Sequence, residues 1–112
     1  MTSMHSQIKR GSAEVAILAV LADRAMHGYE IAKVIERETK GALSFNLASL
    51  YPMLYRLEKR GWVKGIWETR SAGRRRRYYR LTASGQKRLA SLGKEWRTFF
   101  QALNRLVGVV RA

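Results

Sequence analysis

Ten basic side chains fall between Arg56 and Arg80, opposed only by Glu58 and Glu68, and four of them, Arg74, Arg75, Arg76 and Arg77, are consecutive. The chemistry such a run performs is polyanion binding, because guanidinium forks match phosphate oxygens and suit narrow minor grooves. Lysine would serve a merely solvated strand edge as well, so the choice of arginine points to nucleic acid. Directly upstream, the stretch from Ser49 to Lys59 before Gly61 reads as a short basic helix. Its helical wheel turns Tyr55, Arg56 and Lys59 outward, with Ser49 and Tyr51 at the edge, while Leu50, Met53, Leu54 and Leu57 share the opposite face. The hydroxyls of Tyr51 and Tyr55 can donate to phosphate, although either ring can also serve as packing. In an extended strand Arg75 and Arg77 face opposite to Arg74 and Arg76, so the four cannot all reach one surface.

Other chemistry finds no support in the residues. The eight carboxylates sit mostly on polar helix faces, no glycine-rich phosphate loop follows a strand, and no Ser/His/Asp set is suggested. We therefore expect no catalytic residue, no cofactor and no metal. His27 reads as part of a turn or helix start, with no second ligand near it. The absence of cysteine excludes disulfides and thiolate chemistry and fits a reducing cytoplasm. No apolar run approaches a membrane span or a secretion signal, so a soluble cytoplasmic protein without a membrane partner is expected.

The elements that position the basic groups follow from length and periodicity. With 112 residues, 46% of them hydrophobic, and a formal charge of +14, the chain suits one compact domain with a long appended helix and a polyanionic partner. Residues 1–10 read as a flexible arm whose Lys9-Arg10 either touches phosphate or is solvated. Ser12 offers an N-cap for a first helix buried through Val15, Ile17, Leu18 and Leu21. Residues 23–28 read as a turn, Tyr29 to Thr39 as a second helix with Ile31, Ala32 and Ile35 inward, and Gly41 as its left-handed stop. Ser44, Asn46 and Ser49 all offer caps for the third helix. Pro52 suits the first turn of a helix, which favours a start near Ala48 or Ser49. Trp62, Val63, Ile66 and Trp67 then form a strand paired with Tyr78, Tyr79 and Leu81 across a turn at residues 69–73. Three helices followed by a hairpin is the layout of a winged helix-turn-helix, so the expected class is mainly α with a small β-hairpin.

The C-terminal segment carries a separate message. Thr82 caps a helix running to about Val110, along which Leu89, Leu92, Trp96, Phe99, Leu103, Leu106 and Val110 keep three-four spacing. Phe100 and Val107 widen this seam beyond what a small domain can cover, which predicts a dimer interface through Leu89, Leu92, Trp96, Phe99, Leu103 and Leu106. Trp96 reads first as dimer core. Flat rings paired across a two-fold axis also leave room for a planar guest, which makes Trp96, Phe99 and Phe100 candidate effector-binding residues.

The ordered set Leu18-Ala19-Val20-Leu21, His27-Gly28-Tyr29-Glu30-Ile31, Ser49-Leu50-Tyr51-Pro52 with Leu54, Arg56-Leu57-Glu58 and Gly61, Arg76-Arg77-Tyr78-Tyr79, and Leu81-Thr82-Ala83-Ser84-Gly85 resembles the PadR family of bacterial transcriptional regulators. It covers about residues 11–86. The resemblance implies a homodimeric winged-helix protein, usually a repressor, that binds an inverted-repeat operator on double-stranded DNA and releases it on binding an effector. It further implies that the Ser-Leu-Tyr-Pro helix enters the major groove and that the hairpin is the wing. The single C-terminal helix is similar to the smaller PadR subgroup, some members of which hold aromatic drugs between paired tryptophans; Trp96 falls on the corresponding helix. The expected division is an arm at 1–10, a winged-helix DNA-binding domain at 11–81 and a dimerisation helix at 82–112. Readings that use the same features differently are a sequence-tolerant architectural or RNA-binding protein, and a ligand-sequestering dimer.

Overall fold

In the computed structural model, which describes the backbone of residues 4–70 and 73–111 and the side chains of residues 11–70 and 73–108, the chain opens with helix α1, Met4–Leu21. The helix therefore begins before Ser12, which lies inside it and is not its cap. The backbone of residues 4–10, expected as part of an arm, belongs to α1, while the side chains of Lys9 and Arg10 lie outside the described residues. A glycine inside a helix costs about 1 kcal/mol relative to alanine. A Cβ on Gly11 would stand 3.4 Å from the Trp96 ring, in ordinary van der Waals contact, so α4 packs close to α1 at this point. Ala13, Ile17, Leu18 and Leu21 form the buried stripe of α1, with Val15 half-buried.

The segment expected to be only a turn contains a short strand, β1, Met26–His27, before helix α2, Gly28–Glu38. Ile31 and Ile35 are buried and Ala32 half-buried against the core. The left-handed stop of α2 starts one residue before the expected Gly41: Lys40 adopts φ +52° and Gly41 φ +82°, and the Gly41 N–H returns to the Glu36 carbonyl at 2.8 Å. Helix α3 is Leu47–Lys59, capped by Asn46, whose Oδ1 accepts from the Ser49 N–H at 2.8 Å. The start near Ala48 or Ser49 inferred from Pro52 is thus corrected to Leu47. Pro52 and Ala48, whose carbonyl the proline leaves without a helical donor, both occupy exposed positions where water can satisfy it. The expected inward face holds: Leu50, Leu54 and Leu57 are buried and Met53 half-buried.

Strands β2, Val63–Thr69, and β3, Arg75–Leu81, form the hairpin, and β1 adds to β3 so that the antiparallel order is β1-β3-β2. Val63 pairs with Leu81 and Thr69 with Arg75, whereas β1 reaches only Tyr78 and Tyr79. From the Trp67–Arg77 pair to the turn the hairpin is therefore a two-stranded ribbon. Trp62 precedes β2, and residues 71 and 72 of the connecting turn lie outside the described residues.

Helix α4, Ala83–Arg111, starts where Thr82 predicts, its Oγ1 accepting from the Gly85 N–H at 2.9 Å and its hydroxyl donating to the Gly61 carbonyl at 2.6 Å. The Thr82 N–H also donates to the Trp62 carbonyl at 3.0 Å, and a Cβ on Gly85 would fall 2.0 Å from that same oxygen. The Thr-Ala-Ser-Gly sequence thus welds the start of α4 to the end of α3. Leu92 is buried and Leu89 and Trp96 half-buried in this chain's own core, so the first part of the expected seam is already covered. Beyond it, Phe99, Phe100, Leu103, Leu106 and Val107 stand exposed along a helix of 29 residues. Val110 lies outside the described side chains.

Candidate nucleic-acid interface

The start of α2 and the flank of α3 are locked together by residues of small or unusual type. His27 caps α2: its Nδ1 accepts from the Glu30 N–H at 3.3 Å while Glu30 Oε1 accepts from the His27 N–H at 3.4 Å, a reciprocal capping box. Gly28 then leaves space for the Tyr51 ring, since a Cβ there would lie 2.7 Å from the Tyr51 hydroxyl oxygen. Tyr51 consequently lies across the N-terminus of α2 and is still 45% exposed.

The outward face of α3 carries Ser49, Tyr51, Tyr55, Arg56 and Lys59, all exposed, as the wheel predicts. Lys59 Nζ sits 5.6 Å from the Tyr55 ring centre, holding its charge over a ring that is 62% exposed. This face is polar, cationic and aromatic at once, a composition that can donate to phosphate and read base edges.

The four wing arginines divide into pairs. Arg74 and Arg75 are exposed at the end nearest the turn, with the Arg75 guanidinium 5.2 Å from the Trp67 ring. Arg76 turns to the other side of the strand and its Nη1 lies 2.8 Å from His27 Nε2. Arg77 turns to α3 and makes a short ion pair with Glu58. Strand alternation forecast two faces; the partners, His27 and Glu58, were not legible from it. Between α3, the start of α2 and the wing runs a cleft lined by Tyr29, Leu47, Tyr51, Trp67 and Tyr79 together with the arginines. Tyr29 and Trp67 were missed as site residues. For Trp67 the signal lay in the strand register, where it stands opposite Arg77.

Electrostatics sharpen this picture. Burial pushes the His27 imidazole below its ordinary value of 6.5, opposed by Glu30 and assisted by Arg76, so the ring is neutral near pH 7 and able to accept. A neutral imidazole has one acceptor nitrogen, so the Arg76 donor and the Glu30 amide compete for it. For Glu30, burial works upward, but the Arg24 hydrogen bond at 3.0 Å and the His27 N–H bring the carboxyl below its ordinary value. Burial raises the Tyr79 phenol, which stays neutral. Among the described residues no group of three or more His, Cys, Asp or Glu side chains is arranged to hold a metal ion, and no helix is long and apolar enough to cross a membrane.

Helix α4 gathers Trp96, Phe99 and Phe100, with ring centres 5.3–6.3 Å apart. Trp96 is anchored on α1, whereas Phe99 and Phe100 are about half exposed.

Comparison with known proteins agrees with this arrangement. Residues 17–91 match the Transcriptional regulator PadR-like family. An uncharacterized protein of Lysinibacillus sphaericus is 34% identical over 93 residues, covering 83% of this chain and 85% of that one. A transcriptional regulator of Clostridium thermocellum superposes with a TM-score of 0.80 at 32% identity, over 91% of this chain and 99% of its own. A PadR-like transcriptional regulator of Bacillus cereus gives the same TM-score at 26% identity, over 91% and 97%.

Proposed function

The chain belongs to the PadR-like family of transcriptional regulators, and from that premise we propose that it is a cytoplasmic homodimeric repressor that grips an inverted-repeat operator and releases it when a small aromatic effector binds. Proteins of this family are DNA-binding regulators and not enzymes. The observation that carries the reading is the placement of two cationic elements side by side: the exposed face of α3 and the wing with Arg74 and Arg75 at its free end. In this reading residues 11–81 are the DNA-reading unit. Ser49, Tyr51, Tyr55, Arg56 and Lys59 face the major groove, while Arg74 and Arg75 take backbone or minor-groove contacts. Residues 82–112 are the dimerisation helix, supported by the bare strip Phe99, Leu103 and Leu106. The Trp96, Phe99 and Phe100 cluster is the seat of the effector, because its rings can stack on a planar guest where two copies meet.

Selection of duplexes from a random pool, followed by competition with bulk DNA at fixed salt, tests the reading. A regulator enriches a two-fold symmetric sequence and prefers it by about a thousandfold or more. Uniform affinity for every duplex would instead identify a sequence-tolerant binder. For the effector, quenching of tryptophan fluorescence by planar aromatic compounds should disappear in Trp96→Leu while quenchable emission from Trp62 and Trp67 remains.

A further inference from the structure

Glu58 sits in the most basic stretch of the chain, on the helix that carries the candidate groove-facing residues. Its Oε2 accepts from Arg77 of β3 and also from the Gly65 backbone N–H of β2 at 3.2 Å. One carboxylate on α3 thus holds a point on each strand of the hairpin. The pair is partly shielded, with side chains 32% and 28% exposed, and Arg77 Nε is buried without a hydrogen-bond partner. Gly65 creates the space: a Cβ there would lie 2.3 Å from that Nε. The Trp67 and Tyr79 rings, 5.9 and 5.7 Å from the guanidinium carbon, flank it. An arginine enclosed in this way has little left to offer a phosphate.

The need for such a tie follows from the sheet. β1 pairs only with Tyr78 and Tyr79, so beyond them the hairpin is a two-stranded ribbon. Ribbons of two strands twist more freely than wider sheets and are marginal by themselves. Their direction is set by what holds their base, and Arg77 is the residue at which the ribbon begins.

We propose that Glu58, Arg77 and Gly65 form a brace that fixes the pitch of the wing against the recognition helix, so that Arg77 is a positioning residue and Arg74 and Arg75 are the wing's phosphate ligands. The proposal rests on the DNA-binding reading above. It makes a prediction of opposite sign to simple charge counting. Removing an acid from a DNA-facing surface should tighten binding through the added positive potential, whereas loss of the brace should weaken it.

The test measures binding of the full-length chain to a duplex selected from random DNA on the wild-type protein, by fluorescence anisotropy across a salt series. Glu58→Gln and Arg77→Met should each weaken binding roughly fivefold or more, and the double variant should be no weaker than either alone. Their salt slopes should stay near wild type. Arg74→Ala, by contrast, should lower the slope by about 0.9 for each phosphate left without its cation. Gly65→Ala, which changes no charge, should reproduce the weakening by displacing Arg77, and thermal melting shows which variants are folded. Unchanged or tighter binding by Glu58→Gln, which keeps the shape of the side chain, overturns the brace; so does a slope in Arg77→Met that falls as far as in Arg74→Ala. A wild-type protein with no preference for its selected duplex over bulk DNA would sink the DNA-binding reading itself, an outcome distinct from either.

Discussion

His27 shows how one side chain joins two parts of the molecule. It caps α2 and lies 2.8 Å from Arg76 of the wing, and the single lone pair of its neutral ring serves one of these contacts at a time. Protonation removes the ring's one acceptor and sets a positive charge beside the Arg76 guanidinium, so acid should loosen the cap and the Arg76 contact together. The sign follows from the lowered folded value. The unfolded ring takes up its proton near 6.5, before the folded one does, so the stabilisation is complete above that pH and is lost as pH falls through the folded value. Glu30, also lowered, adds a second loss below its ordinary 4.5 as acid removes its charge. Denaturant unfolding should therefore show a midpoint that falls as pH drops below about 6.5 in the wild type. His27→Asn, which retains capping chemistry but no titratable ring, should flatten that decline. An equally steep decline in the variant would place the titration elsewhere. The same distinction between type and partner governs the arginines. Their run was legible as a polyanion site from residue type alone, but the division into two exposed and two tethered members depended on His27 and Glu58, which lie 49 and 19 residues away from their partners.

At the scale of elements, apolar periodicity was a reliable guide and local capping signals were less so. The inward faces of α2 and α3 and the start of α4 at Thr82 stand where spacing and capping chemistry put them. Two starts moved, and for related reasons. Ser12 and Ser49 are good caps in isolation, yet each became an interior residue once its helix extended upstream, to Met4 in α1 and, in α3, to Leu47 behind the competing cap Asn46. Strand β1 was illegible, being two residues long and defined only by its pairing with Tyr78 and Tyr79. Asn46→Ala should cost about 1 kcal/mol of stability through loss of its hydrogen bond to the Ser49 N–H. Ser49→Ala should leave stability nearly unchanged while weakening DNA binding if Ser49 faces the groove. Gly85→Ala should be more damaging, about 1–3 kcal/mol, since its Cβ collides with the Trp62 carbonyl, which belongs to backbone and has little freedom to move. Chemical denaturation of the three variants ranks them directly. Parity between Gly85→Ala and Asn46→Ala would mean that the α3–α4 junction yields more readily than its hydrogen bonds suggest.

For the whole molecule the governing conflict lies between charge and apolar surface. Each chain carries a formal +14, so two copies repel at long range. The strip that would join them is apolar, with Phe99 55% and Leu106 62% exposed in the single chain. Salt screens the repulsion without weakening apolar burial, so self-association should strengthen as ionic strength rises. DNA binding must move the other way, because salt opposes the release of counterions from phosphate. The two equilibria can therefore be separated by their slopes, and one substitution should expose the link between them. In the proposed dimer a carboxylate in place of Leu106 would force a buried charge into the seam, so Leu106→Glu should sediment as a single copy at concentrations where the wild type pairs. Leu106 is exposed and far from the core, and the thermal unfolding of the single chain should change little. A single head then binds without the effective concentration supplied by its tethered twin, and affinity for a two-fold symmetric duplex should fall about a hundredfold or more, with roughly half the wild-type salt slope. If the variant stays monomeric yet keeps wild-type affinity and slope, one head suffices for recognition, and the apolar strip on α4 serves some purpose other than pairing the heads across an operator.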